Sequence, residues 1–207
     1  MVSNEDDNGM EGKITKRKIQ ADTTRKKIYD ISIALMEKNG FANTTIMDIS
    51  RMAGVSVGTF YNYFSSKEEI FFDIFHKADE YFKRVVDRGL LSEAATAKEQ
   101  IVLYYKYYAR YQVKRGFHNI DQLYSTKTKL FIVKGRYMRE ALTKIVSDRQ
   151  ATGELVVGET ADDIVEYLFI AARGVVYDWC LNEGKYNLET KMEAYMSKLV
   201  DVFVAEK

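Results

Sequence analysis

The chain has 207 residues, 46% of them hydrophobic and 13% aromatic, with 12 glycines, no proline and one cysteine. That composition excludes wholesale disorder and, with Cys180 alone, an intrachain disulfide framework. The net charge of +1 conceals an asymmetry: ten Lys/Arg against four Asp/Glu lie between Lys13 and Lys67, behind an acidic head and ahead of a near-neutral remainder.

A basic N-terminal unit on a neutral body points to a polyanion for one end of the molecule; a solvated basic tail is the alternative. The opening residues are acidic and polar, unlike a secretory leader, and no apolar run approaches the ~20 residues of a membrane span. A cytoplasmic protein without a membrane partner is expected.

Apolar residues recur at helical spacing from about Ile28 to Phe203, with no alternating strand pattern, so the fold class is all-α. Residues 1–20 are expected to form a disordered tail ending in Lys13, Lys16, Arg17 and Lys18. The first helix is expected over Thr23–Lys38, with Ile28, Ile31, Ser32, Leu35 and Met36 on one face and Asn39 and Gly40 as its stop. Thr44 or Thr45 caps a second helix running to about Met52, with Ile46 and Ile49 inward. A turn at Gly54 and an apolar plug at Val55 follow. Ser56 then caps a third helix of about two turns, from Val57 to Tyr63 or Phe64. Ser66 and Glu69 have the spacing of a capping box for a fourth helix, which runs to about Arg88 and ends near Gly89.

A longer helix followed by two short ones across a glycine turn is the helix-turn-helix plan. Phe60 faces inward with Val57 or Phe64, whereas Ser56, Gly58, Thr59, Asn62 and Tyr63 are small or polar and face out. A helix that enters the major groove needs that profile.

The stretch TRKKIYDISIALMEKNGFANTTIMDISRMAGVSVGTFYNYFSSKEEIF, Thr24 to about Phe71, resembles the DNA-binding domain of the tetracycline-repressor (TetR) family. Gly40, Phe41, Thr45, Ile49, Ala53 through Ser56, Gly58 through Tyr61, Phe64 and Ser66 through Glu68 stand where the family pattern has them. Ile31 and Ser32 replace a pair of small apolar residues, and Ser50 stands where alanine is common, so slight repacking of the first helix on the second is expected. The resemblance implies that Tyr61 and Lys67 hold DNA phosphates, with Thr45 a further anchor at a helix N-terminus. It places Ser56, Val57, Gly58, Thr59, Asn62 and Tyr63 at the groove, with Asn62 and Tyr63 as hydrogen-bonding readers. Asparagine can pair bidentately with adenine, and Val57 or Thr59 can meet a thymine methyl. The alternative for Tyr61 and Tyr63 is half-buried scaffold. The DNA-binding unit is expected over 21–67 and a larger helical ligand-binding and dimerisation body over 68–207.

Further helices are expected near Ala95–Lys114, Ile120–Ser125, Lys127–Gln150, Ala161–Glu183 and Leu188–Val204. The fourth of these carries two apolar stripes, Ile164, Leu168, Ala171, Val175 and Trp179, and Val165, Phe169, Ala172, Val176 and Cys180. A helix apolar on two faces must be covered on both. The resemblance implies a homodimer through a four-helix bundle, with Ala172, Val176, Cys180, Met192, Tyr195, Met196 and Leu199 at the interface. An ordinary wrapped core helix in a monomer is the alternative.

Five tyrosines lie between Tyr104 and Tyr111, and Tyr104, Tyr107, Tyr108 and Tyr111 share a helical stripe. They suit either aromatic core packing or the wall of a cavity with a few polar points. The resemblance implies an inducer pocket bordered by these four with His118, Tyr137 and Phe169, and the neutral body favours a small apolar or aromatic ligand. His76 and His118 are far apart, Asp162 and Asp163 read as first-turn helix charge, and no metal-ligand or phosphate-cradling motif occurs. Neither enzyme nor cofactor is expected. The implied function is a repressor released from a palindromic DNA operator by a small molecule. A second reading is a DNA-bound interaction protein of the same fold that recruits or inhibits a protein partner.

Overall fold

The computed structural model describes residues 16–124, 131 and 133–205, apart from the side chains of residues 71, 72 and 75. Among the described residues there are nine α-helices: α1 (Lys16–Asn39), α2 (Ile46–Ala53), α3 (Val57–Tyr61), α4 (Glu69–Asp87), α5 (Ala97–Arg115), α6 (Phe117–Leu123), α7 (Tyr137–Ala151), α8 (Ala161–Leu181) and α9 (Leu188–Val200). The fold is all-α, a three-helix N-terminal unit carrying a larger helical body.

Helix α1 starts at Lys16, so residues 16–20 are helical and not part of a disordered tail. The run has no glycine or proline to break it, and the Thr23 and Thr24 hydroxyls bond back to the carbonyls of Ile19 and Gln20 at 2.8 and 2.9 Å. Lys13 and the rest of residues 1–15 lie outside the described residues. Thr45 caps α2 by accepting from the Asp48 amide at 3.1 Å, and Gly54, at φ +66°, ends it in the left-handed region that glycine enters without strain. Ser56 caps α3 in the same way through the Thr59 amide at 3.0 Å. Helix α3 stops at Tyr61, shorter than the spacing predicts. The capping box expected from Ser66 and Glu69 does not form: α4 begins at Glu69 itself, with Glu68 at the N-cap and no side-chain cap, and the Glu69 carboxylate reaches Ser65 and not Ser66. Ser66 Oγ accepts from Glu69 N at 3.4 Å, and the Glu69 carboxylate accepts from Ser65 N at 2.5 Å.

The largest departure is α7, expected from Lys127 and found to start at Tyr137. Residues 127–130 lie outside the described residues. What opens α7 is a tertiary contact, invisible to local spacing: the Asp79 carboxylate of α4 accepts from the Met138 amide at 3.1 Å. Helix α9 is also shorter than expected and passes into a 3-10 turn over Asp201–Phe203.

The apolar core is continuous from Ile28, Ile49 and Phe60 in the N-terminal unit to Phe82, Tyr104 and Leu168 in the body. Fully burying such a side chain contributes roughly 1.5–3 kcal/mol. Helix α5 is central, packing on α9, α7, α4 and α8. Helix α1 is tied to the body along its length. Arg25 donates both guanidinium nitrogens to Asp73 of α4, each at 2.6 Å. Near its other end, Asn119 of α6 donates to the Ile33 carbonyl at 3.1 Å and to Glu37 at 3.3 Å. Gly116 is required there: a Cβ would come within 2.3 Å of the Glu37 carboxylate, and its φ is +93°.

Candidate functional site

The N-terminal unit presents a surface of short, capped elements. Ser56, Val57, Gly58, Tyr61 and Asn62 are exposed, with Thr59 half-buried, its hydroxyl 2.8 Å from that of Ser56. Phe60 is fully buried beneath them and meets Tyr61 edge-on at 5.7 Å. Tyr63 packs partly against the core, so its ring also serves as scaffold. Ser32 is accommodated inside the unit by donating to the Ile28 carbonyl at 2.7 Å, whereas the buried Ser50 hydroxyl has no hydrogen-bond partner.

Lys67 has a structural task beyond the one the motif implies. Its ammonium donates to the Phe41 and Thr44 carbonyls at 2.7 and 2.8 Å and lies 4.3 Å over the Phe41 ring. It braces the α1–α2 loop against the entry to α4. An ammonium carries three donors, so these two bonds leave one. The Thr45 hydroxyl is spent on Asp48, accepting from its amide and donating to its carboxylate at 2.5 Å. That hydroxyl, ahead of the nearby Arg51, holds the Asp48 carboxyl below its ordinary range. Thr45 therefore acts at this surface through the helix terminus it organises. Two neighbouring cations were not singled out by the motif: Arg51, exposed on α2, and Lys27, whose ammonium lies 3.8 Å from where a Cβ on Gly54 would be. Their basic character, on the polar faces of their helices, was the available signal.

In the body, a cavity of about 910 Å³ opens between α4, α5, α7 and α8. Ile74, Ala78, Phe82, Leu123, Met138 and Phe169 form its apolar walls. Lys134, Arg136, Arg139, Lys144 and Arg173 line it together with Glu140, Asp162 and Glu166, an excess of cations. Arg139 pairs with Glu166, and Arg136 Nε donates to Asp79 at 2.8 Å.

Of the expected pocket residues, Tyr108, Tyr111 and Phe169 line this cavity. Tyr104 does not: it is fully buried behind the wall, donating to the Met138 carbonyl at 2.6 Å. Tyr107 is half-buried under Arg110, and Tyr137 lies outside the lining at the start of α7. His118 is elsewhere, 3.7 Å from Glu37 at the α1–α6 contact. Tyr108 meets the Tyr124 hydroxyl at 3.0 Å, and burial pushes both phenols up, so they act as neutral hydrogen-bonding groups. Sequence reasoning missed Gln112, buried on the cavity wall with its amide oxygen unpartnered, and missed the basic lining altogether. The body's near-zero net charge concealed a local excess, because its cations and carboxylates are distributed unevenly in space.

The expected dimer residues need correction. Ala172, Val176, Met192 and Met196 are 0% exposed, and Cys180 is buried with them, its thiol pushed up to about 12 by burial. These side chains close the packing of α8 and α9 inside the subunit and are not available to a partner. Tyr195 is half-exposed and Leu199 partly buried. The outward stripe of α8 is a different one: Tyr167, Ile170, Gly174, Tyr177 and Leu181, recurring every three or four residues. Periodicity separated two apolar faces on this helix, but both belong to the interior, and the outward one was overlooked because two tyrosines and Gly174 interrupt its aliphatic residues.

Among the described residues, no group of three or more His, Cys, Asp or Glu could hold a metal ion, and no helix is long and apolar enough to cross a membrane. The family model for "Bacterial regulatory proteins, tetR family" matches residues 28–74, which take in the second half of α1, all of α2 and α3, and the start of α4. The chain is 27% identical over 185 residues to the fatty acid metabolism regulator protein of Bacillus subtilis (strain 168), covering 84% of this chain and 92% of that one. Its fold is similar to that of the Bacillus subtilis transcriptional regulator FadR in complex with stearoyl-CoA, at a TM-score of 0.68 and 23% identity over 84% of this chain and 97% of the other. It is also similar to Thermus thermophilus FadR in complex with lauroyl-CoA, at a TM-score of 0.67 and 17% identity over 88% and 96% of the two chains. These relatives are regulators of transcription and not enzymes. The helix-turn-helix motif, the matched domain and the fold agree: residues 28–74 match the TetR-family domain, and the chain as a whole is similar to regulators of transcription that share this fold.

Proposed function

We propose that this protein is a homodimeric cytoplasmic repressor that binds a palindromic operator and is released from it by a long-chain acyl thioester with an anionic head, of the acyl-CoA type. The observation that carries the ligand class is the cavity, with apolar walls of Phe82, Met138 and Phe169 and a cationic lining of Lys134, Arg136, Arg139 and Arg173. An apolar chain fits the first and a phosphate-bearing head the second. The volume of about 910 Å³ falls within the roughly 300–1,000 Å³ usual for ligand sites. The stearoyl-CoA and lauroyl-CoA complexes of the two FadR proteins support the same class. This reading replaces a purely apolar ligand with an amphipathic anion.

On the DNA side, Asn62 and Val57 face the bases, while Tyr61, Lys67 and the N-terminus of α2 hold phosphates. The half-exposed Tyr195 and the outward stripe of α8, from Tyr167 to Leu181, form the dimer face. Two copies then offer two recognition helices to successive major grooves.

The test is an operator-release titration. Bound fragments are first selected from genomic DNA with the purified protein. The complex is then titrated with acyl-CoAs of increasing chain length, with CoA alone and with free fatty acids. Release by long-chain acyl-CoA but not by CoA is expected. Tight operator binding that none of these molecules disturbs would overturn the ligand reading and favour a DNA-bound interaction protein.

A further inference from the structure

Helix α4 carries two carboxylates six positions apart, and each is clamped by an arginine from a different part of the molecule. Asp73 takes both nitrogens of Arg25, whose guanidinium also lies 4.7 Å over the ring of Phe64, just beyond α3. Asp79 takes Arg136 Nε at 2.8 Å and the Met138 amide at 3.1 Å. The first clamp fastens α4 to the DNA-binding unit. The second fastens it to the wall of the cavity, where both Arg136 and Met138 are lining residues.

The two clamps differ in what can reach them. The Asp79 and Arg136 side chains are only 22% and 14% exposed, so their attraction is poorly screened. An anion entering the cavity beside Arg136 would be brought close to Asp79 in the same weakly screened setting. Like charges so placed oppose one another strongly, and one must give way. The opposite side of this turn is fixed, because Tyr104 donates to the Met138 carbonyl at 2.6 Å from within the core. Only the side held by Asp79 can let go.

We propose that Asp79 is a positioning residue whose place on Arg136 is taken by the anionic end of the ligand. With Asp79 in place, α4 is held against α7 and the DNA-binding unit keeps its operator geometry. When the ligand captures Arg136, α4 is released from the cavity wall while Asp73 still binds it to Arg25, so the displacement is carried to α1 and α3. This rests on the reading of the ligand as an amphipathic anion. The free energy the ligand spends in displacing Asp79 is then the coupling between the two sites, and by linkage the operator must weaken ligand binding by the same factor.

The test uses the full-length protein, a bound operator fragment and palmitoyl-CoA, with its dissociation constant measured calorimetrically with and without operator. In the wild type, operator should weaken palmitoyl-CoA binding by roughly 5–150-fold, the usual span of such coupling. Asp79→Asn keeps an oxygen for the Met138 amide but removes the charge. It should bind palmitoyl-CoA several-fold more tightly, bind operator several-fold more weakly, and show a reduced coupling factor. Tighter ligand binding is the informative sign, since mere structural damage would weaken both. Should Asp79→Asn fail to fold, Arg136→Gln serves in its place, with weaker palmitoyl-CoA binding and reduced coupling expected. A wild type that couples palmitoyl-CoA to operator, beside an Asp79→Asn variant unchanged in all three quantities, would overturn the role of Asp79 and leave the acyl-CoA reading standing. For Arg136→Gln, an unchanged coupling factor would do the same. A wild type that does not bind palmitoyl-CoA would overturn both.

Discussion

The DNA-binding end and the cavity end of this molecule are built on opposite plans. At the first, helices of eight and five residues are delimited by side-chain caps on Thr45 and Ser56, and the functional groups project from them into solvent. At the second, helices of 15 to 21 residues are packed by their apolar faces, and the functional object is the space they leave between them. An outward site depends on local sequence rules. An inward one depends on how distant segments meet, and this contrast can be tested one substitution at a time.

The largest effect separates inside from outside on a single helix. Ala172→Glu puts an unpaired charge into the core between α8 and its neighbours and should cost on the order of 4 kcal/mol, enough to unfold or aggregate the protein. Ile170→Glu, two positions away on the exposed stripe, should leave the subunit folded with a near-normal melting temperature. Sedimentation should then find it monomeric. If Ile170→Glu remains dimeric with unchanged affinity, the dimer face lies elsewhere.

Next comes the junction of the two plans. Asp73→Asn removes the charge from the fork held by Arg25, a loss of about 1.5–3 kcal/mol for hydrogen bonds to charged groups. Urea denaturation should show it, and operator affinity should fall more than palmitoyl-CoA affinity does. Within the DNA-binding end, Asn62→Ala should cost ~1–3 kcal/mol on the preferred operator and much less on variants altered at the contacted base pair. Lys67→Met should differ in kind, lowering affinity on every sequence and reducing the slope of log affinity against log salt by about one. It should also lower the melting temperature, because two loop carbonyls lose their donor. A uniform loss for Asn62→Ala would remove it from base reading. The smallest effect is a gain: Ser50→Ala deletes a buried hydroxyl without a partner and should stabilise the protein by up to about 1 kcal/mol, with operator binding unchanged.

The same contrast explains what was legible in the sequence. The order of the three N-terminal helices, the cap at Ser56, a threonine cap on α2 (narrowed to Thr44 or Thr45) and the turn at Gly54 were readable because each is written within four residues of where it acts. The start of α7 was not, since its first-turn amide is satisfied by Asp79, 59 positions earlier. The tyrosines between Tyr104 and Tyr111 marked the right helix, but which of them face the cavity depends on α4, α7 and α8. The basic lining was hidden for the same reason, because Lys134, Arg136, Arg139 and Arg173 are ordinary surface-type residues until α7 and α8 are set side by side. On α8 the two apolar stripes were correctly seen, but with no knowledge of how many neighbours the helix has, one was assigned to a partner that its own subunit supplies.

Helix α1 belongs to both plans, and this has a consequence for how the molecule breathes. Its anchors run along much of its length: Arg25 to Asp73, Arg115 to the Tyr29 hydroxyl at 3.4 Å, and Ile33 and Glu37 to Asn119. All of these partners lie outside the three-helix unit. Opening α1 therefore means opening contacts with α4, α5 and α6 as well, so its amide protons should exchange with solvent together with those of the central α5. Those of α2 and α3, for which no such hydrogen bond to the body occurs among the described residues, should exchange sooner. The helix-turn-helix would then loosen as a pair of short helices against a fixed α1, and a fragment cut after Lys67 would lose the partners that keep α1 closed.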